Sequence, residues 1–301
     1  MKAHVVLPNN AGKVNGGGKV MIRMAEVLQD LGYDTSLEFS NGEAPKWLDI
    51  RIPIKSVTEA DLVIICEVSF GWIGKVKGFN VVYYQSPTYI ERDKSLKAIS
   101  YKDQGADGVI FNSEWNRKRY LQEVGEDGPI VHPTVDTNLF SPSNDVDWQK
   151  GVYFPRKNLG FAVRAIDELK RRGVNIDWFC ADEVPEKELI EIWKKRGITM
   201  ITGYPESFPM PPIEAMSLGS VPVGSAGGAG LEYMENEKNS LVVRDGDWEG
   251  LADAIQRLSK DRPLFDKLRA AGRQTALRFT GENQRQELSA ALKALSAPAP
   301  F

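Results

Sequence analysis

The stretch Glu206-Ser-Phe-Pro-Met-Pro-Pro-Ile-Glu214, continuing Ala215-Met-Ser-Leu-Gly-Ser-Val-Pro-Val223, carries two carboxylates on either side of a proline-rich turn. Pro211 and Pro212 suit the start of a helix, where proline's missing N–H costs nothing and its φ is already helical. Glu214 is then expected in the first helical turn and Glu206 in the loop before it. Both can face one crevice, beside the free N–H groups of the helix start, which favour an anion such as a phosphate. One short segment thus offers an anion cradle and two acceptors for hydroxyl protons, matching a ligand that carries both phosphate and sugar hydroxyls. Against this stands a plainer reading, in which Glu214 only complements the positive end of the helix dipole.

Around that segment the second half of the chain alternates strand and helix. Strands are expected at residues 152–154, 176–180, 198–201, 221–223 and 241–243. Helices are expected at 159–172, 186–196, 248–258, 263–278 and 282–295. The first half alternates similarly, with strand-like runs at 5–7, 35–39, 49–54, 61–66, 79–84, 108–111 and 130–131. A helical period runs over 20–31, and another helix starts after Ser113 as N-cap. The run Asp61-Leu-Val-Ile-Ile-Cys66 has the apolar character of a parallel strand buried on both faces. Such alternation predicts an α/β protein of two Rossmann-like α/β/α domains. Residues 136–150 lack an apolar period and read as the linker. The expected division is 1–140, 141–281, and 282–301 as a last helix and tail, with 296–301 disordered.

Composition excludes several classes. The chain has 301 residues and a formal net charge of −3, so no global basic field favours nucleic acid. No apolar run approaches the ~18 residues of a membrane-spanning helix. The apolar part of residues 1–8 is too short for a signal peptide. Cys66 and Cys180 are the only cysteines; each ends an apolar run, and buried reduced thiols in a cytoplasmic protein are expected. With two histidines, His4 and His132, no metal-ligand cluster is visible.

In two α/β domains the expected ligand site is a central cleft, outside the carboxyl ends of the strands. Asn15-Gly-Gly-Gly18 lies between a strand and a helix, where Gly16 and Gly17 let a backbone approach an anion. It fits neither the dinucleotide fingerprint nor the P-loop. Arg156-Lys157 follows a strand and could neutralise a leaving diphosphate, or be a solvated turn. The basic triplets at 117–119, 170–172 and 194–196 read as solvated helix faces. Phe70, Trp72 and Ile73, with Lys75 and Lys77, sit just after a buried strand. They could touch an acceptor, touch a membrane surface peripherally, or simply pack.

Together these residues resemble the retaining GT-B glycosyltransferases of the family-4 group. That family carries an E-x7-E element of the form E-G-F-G-L-P-P-L-E-A-M-A-x-G-x-P-V-V, which residues 206–223 match in order and spacing. Residues 226–232 and 239–246 are similar to its next segments, and Tyr153-Phe-Pro-Arg-Lys157 is similar to its R…K phosphate pair. Weaker similarity covers Gly16-Gly17, 106–113 and 135–142. The resemblance implies a GT-B fold whose last helix crosses back to the first domain. It implies that Glu214 holds the ribose hydroxyls and Glu206 the donor sugar. Ser207, Phe208, Pro209, Met210 and Pro211 would meet phosphate and sugar, and Asp182, Glu183 and Val184 the base. Arg156 and Lys157 would stabilise the leaving diphosphate, helped by N–H groups near Gly16. The donor would be a UDP-, GDP- or other nucleoside-diphosphate sugar, with no cofactor and no metal. The acceptor hydroxyl, on a saccharide, lipid or other molecule, would attack an oxocarbenium-like centre from the leaving-group face, so charge stabilisation dominates.

This sequence departs from the pattern in three places, one of which is length: Arg156 and Lys157 are adjacent where the family has an intervening loop, and roughly one α/β unit is absent between Cys180 and Val184. Ser207 and Pro209 replace the glycines of the loop, and Tyr84-Gln-Ser-Pro87 stands where the family often has His-Asp. Gln85 or Ser86 could substitute by hydrogen bonding. The first alternative is a GT-B sugar-nucleotide epimerase; the second is a catalytically weak GT-B module that binds a glycan or a partner.

Overall fold

Runs of β-branched and apolar residues form two all-parallel sheets, each in its own unit of the chain. The computed structural model describes residues 1–8, 16–40, 44–45, 48–86 and 99–300. The chain divides at Thr134/Val135 and at Thr280/Gly281, with Gly281–Phe301 grouped with the first unit.

The first unit begins with β1 (Lys2–Leu7), α1 (Gly16–Asp30), β2 (Asp34–Phe39), β3 (Glu59–Cys66), β4 (Lys77–Tyr84), β5 (Gly108–Phe111) and α2 (Glu114–Val124). Its sheet order is β2-β1-β3-β4-β5. Val5 stands beside Leu37 on one side and Ile64 on the other, and all three are fully buried. The Ser113 side chain accepts the Asn116 N–H and caps α2 as expected. Residues 49–54 do not form the expected strand; only Ile54 makes a bridge, to Leu37.

The second unit holds β6 (Asp147–Tyr153), α3 (Leu159–Arg171), β7 (Asp177–Cys180), α4 (Glu186–Trp193), β8 (Arg196–Ile201), α5 (Met210–Leu218), β9 (Val221–Gly224), β10 (Leu241–Val242), α6 (Trp248–Leu258) and α7 (Arg262–Ala276). Its order is β10-β9-β8-β6-β7, the same permutation as in the first unit. β6 begins at Asp147, inside the expected linker, because Trp148 packs on the core and lies 6.2 Å from Phe265. Cys66 is buried, but Cys180 is exposed. Its strand, β7, is the sheet edge beyond β6, where apolar sequence alone does not secure burial.

The last helix, α8 (Gly281–Ala294), belongs to the first unit, where Gln284 and Glu287 grip His132. The tail does not end in disorder over its described part. The Ala297 N–H donates to the Leu292 carbonyl at 2.9 Å, and Tyr33 Oη to the Pro298 carbonyl at 2.5 Å. No helix among the described residues is long and apolar enough to cross a membrane.

Candidate functional site

In both sheets the chain steps from the first strand to one neighbour, then crosses to the other side for the third. The loops leaving strands one and three therefore diverge and open a crevice at the carboxyl ends. In the second unit those strands are β6 and β8. The loop after β6 carries Arg156 and Lys157, and the loop after β8 carries Glu206. Lys157 Nζ donates to Glu206 Oε1 across the crevice. The Lys157 side chain is 42% exposed and that of Glu206 18%. The pair is reachable by a ligand, while Glu206 is the more confined partner. Arg156 is exposed beside them.

The two loops are fastened together. Thr202 Oγ1 donates to the Lys157 carbonyl at 2.9 Å, and Asn158 Nδ2 donates to the Thr202 carbonyl at 2.8 Å. Asn158 holds φ 54°, a left-handed conformation that asparagine tolerates better than most residues. Glu206 is also held through its backbone. Its N–H donates to the Gly227 carbonyl at 2.5 Å, and its own carbonyl accepts the Ala229 N–H at 3.2 Å. Gly227 in turn donates to Ser225 Oγ at 3.1 Å, and that hydroxyl donates to Asp245. Side-chain-free positions make room for this strip. A Cβ on Gly203 would lie 2.7 Å from Glu206 Oε1, and one on Gly227 would lie 2.8 Å from Glu206 Cβ.

Helix α5 starts at Met210, with Pro209 as N-cap. Glu214 therefore stands on the second turn, not the first as expected, and no acid occupies the first turn. The dipole reading of Glu214 loses its basis, because that effect fades within one turn. Glu214 is nonetheless 9% exposed on a helix buried nearly all round. Ile213, Met216 and Leu218, all fully buried, contribute about 1.5–3 kcal/mol each to holding it. The anion cradle is also thinner than expected. Of the first four helical positions, Pro211 and Pro212 have no N–H, nor does the cap Pro209.

Tyr233 ties the segment together. Its hydroxyl donates to the Pro209 carbonyl. Burial, followed by the fields of Glu206, Glu232 and Glu214, pushes its phenol well above the ordinary value. It therefore remains a donor, within the field of both carboxylates. Phe208 packs its ring 5.4 Å from Tyr233 and 5.7 Å from Phe279, so its side chain is part of the core and only its backbone is offered to a ligand. Ser207 and Met210 are buried, and Pro211 is half-buried. Asp182, Glu183 and Val184 follow the edge strand β7; the two acids are exposed, and Glu183 has φ 52°. Sequence reasoning missed Thr202, Asn158, Ser225 and Tyr233, although Gly227 and Asp245 lie in segments it had quoted.

Residues 162–275 match the family model Glycosyl transferases group 1. No curated protein matches the sequence. Among solved structures, HepE of Anabaena in complex with UDP-glucose is 16% identical, with a TM-score of 0.81 over 98% of this chain and 100% of that one. Sucrose-phosphate synthase of Thermosynechococcus elongatus is 16% identical, with a TM-score of 0.75 over 99% of each chain. The glycosyltransferase of Rickettsia africae gives 0.70 at 16% identity, over 99% of each. The fold is therefore GT-B-like, built from two parallel-sheet α/β domains of Rossmann type.

In the first unit the equivalent crevice follows β1 and β3. Gly16 and Gly17 form the first turn of α1, and a Cβ on Gly16 would meet nothing within 4 Å. Asn15 and the rest of 9–15 lie outside the described residues, as does Pro87. Gln85 is 6% exposed, and its Nε2 turns inward to the Gly17 carbonyl at 3.4 Å. Phe70 and Trp72 lie on the 3-10 helix Glu67–Trp72. Trp72 packs on the core, and the Lys75 ammonium sits 5.0 Å from its ring centre. Phe70 is 36% exposed, 6.3 Å from the Tyr101 ring. Among the described residues no group of three His, Cys, Asp or Glu could hold a metal ion. Two surface hollows lie away from these crevices. One is at the amino ends of β1, β3 and β4 around Lys2 and Asp61, the other is between Leu31 and Arg285.

Proposed function

We propose that this chain transfers a sugar from a nucleoside-diphosphate sugar to an acceptor hydroxyl, with retention of configuration and without a metal ion. The observation that supports it most directly is the Lys157–Glu206 contact on the two loops that diverge at β6 and β8. The loop after β8 lies within the region that matches the group 1 family, and the loop after β6 lies just before it. A cation and a carboxylate so placed can divide a donor between them. Lys157, with Arg156, takes the diphosphate as charge builds on it, and Glu206 accepts the sugar's hydroxyl protons. Glu214, behind the loop, accepts from the ribose. The carbon–oxygen bond to the donor phosphate breaks while the acceptor oxygen bonds the same face, and its proton passes to the departing phosphate oxygen. The acceptor is a saccharide, a lipid or another hydroxyl compound.

The neighbour HepE was solved with UDP-glucose, which makes that the first donor to try. The test incubates the full chain with UDP-glucose and then a panel of UDP- and GDP-sugars, with and without EDTA, following anomeric protons by NMR. The expected result is donor consumption giving α-configured sugar first, at a rate EDTA leaves unchanged. A β-configured first product overturns retention, and EDTA-sensitive turnover overturns metal independence. Inertness with every donor overturns the transferase reading.

A further inference from the structure

Glu67 is the first residue past β3, at the point where the first sheet's loops diverge. It is 6% exposed. Cys66 Sγ donates to its Oε2 at 3.1 Å, and the backbone N–H groups of Gln85 and Ser86 donate to its carboxylate. Gln85 is gripped on its other sides as well. Its carbonyl accepts Asn112 Nδ2 at 3.0 Å and Asn116 Nδ2 at 2.9 Å. Its side chain spans from the Cys66 sulfur, at 3.6 Å, to the Gly17 carbonyl at the start of α1. The carboxylate is thus the hub from which the end of β4 and the start of α1 are both fixed.

A glutamine at position 67 would fill the same shape with no charge to bury, but its amide offers one accepting oxygen where the carboxylate offers two. A glutamate in that place carries the cost of desolvation, and buried acids held against such a cost cluster at working sites. Burial pushes the Glu67 carboxyl up to about 7, while the donors from Cys66, its own backbone, Gln85 and Ser86 pull the other way. The titratable groups that share its field are Cys66 on β3, Tyr83 and Tyr84 on β4, and Tyr101 before β5. Burial raises all four above their ordinary values, so they stay neutral to pH 8 and beyond. Glu67 is then the group in this cluster that changes charge near neutrality.

We propose that Glu67 is a positioning residue in the first unit's own crevice, for the acceptor of the reaction. Its carboxylate holds the Gln85–Ser86 backbone, and through Gln85 the first turn of α1, in the arrangement that receives the acceptor hydroxyl. Ionised, it accepts from Cys66, its own backbone, Gln85 and Ser86 at once. Protonated, one oxygen becomes a donor itself and the grip on the Gln85–Ser86 turn loosens. The proposal rests on the sugar-transfer reading above.

The test has two arms on the full chain. In the first, the amide resonances of Gln85 and Ser86 are followed by NMR from pH 5.5 to 8.5 in wild type and in Glu67→Gln, without ligand. Both amides should titrate together near pH 7 in wild type and not in the variant; amides that stay still in wild type overturn the network. In the second, UDP-glucose turnover with water as acceptor is measured over the same range. One unit below the midpoint, at pH 6, wild type should retain about a tenth of its plateau rate. Glu67→Gln, a mimic of the protonated acid, should give a flat profile well below that level, with its unfolding midpoint confirming the fold. An acid limb unchanged in Glu67→Gln overturns the positioning role. If the amides titrate but wild type turns over no donor, the transfer reading fails and takes this role with it.

Discussion

Gly227→Ala should disable Glu206 without removing either charged group. Gly227 holds φ +65°, and an added Cβ would lie 2.7 Å from the Gly203 carbonyl oxygen and 2.8 Å from Glu206 Cβ. Placing an L side chain in the left-handed region costs about 1–2 kcal/mol. Relieving an overpacked contact costs about 1–3 kcal/mol more. The sum is a loss of about 2–5 kcal/mol, and the contact can be relieved mainly by moving Glu206 or Gly203. Glu206 is bonded to the same strip through Gly227 and Ala229, so it shifts with the strip. A displacement of about 1 Å at a group that orients substrate costs roughly 10²-fold in rate. Urea unfolding of the full chain reads the first figure, and UDP-glucose turnover reads the second. Gly160→Ala is the control: it lies in α3 with nothing within 4 Å of an added Cβ. It should leave turnover unchanged and stabilise by about 0.4–1 kcal/mol. A Gly227→Ala protein within about 0.5 kcal/mol of wild type, with its rate intact, would refute the claim that this glycine is required for the placement of Glu206.

Two further outcomes follow from the charges. The Glu67 carboxyl is raised from 4.5 to about 7 in the folded chain, so between those values the folded state binds the extra proton. Its contribution to stability is complete below pH 4.5 and is lost as pH rises through 7. The difference is about 3 kcal/mol, and Glu67→Gln should flatten that part of a urea-stability profile; an unchanged profile sinks the assignment. Lys157→Met, by contrast, removes half of a partly exposed ion pair. It should change stability by less than about 1 kcal/mol while lowering turnover by about 10²-fold or more, and a loss in stability without loss of rate would reverse its role.

The α/β alternation was readable in the chain because periodicity is local. Runs such as residues 62–66 are apolar throughout, and they became central parallel strands. The helix start at Pro211 and Pro212 and the cap at Ser113 were readable for the same reason, since each depends on a few adjacent residues. The strand assignment at 49–54 failed because those residues find only one bridge partner, at Leu37. Glu214 moved to the second turn because Met210 already has helical geometry before the prolines.

What the sequence alone determined is the type of each element and the segment that carries Glu206 and Glu214. Strand order, and with it the rest, was left to the tertiary structure. It put Cys180 on an exposed edge and Cys66 in the interior, although both end apolar runs. It set Lys157 against Glu206 from loops after β6 and β8, and it buried Glu67 among donors from a different strand. Propensity and period act over a few neighbouring residues, whereas burial and hydrogen-bond partners depend on which strands lie side by side, and that is settled by packing between segments far apart in the chain.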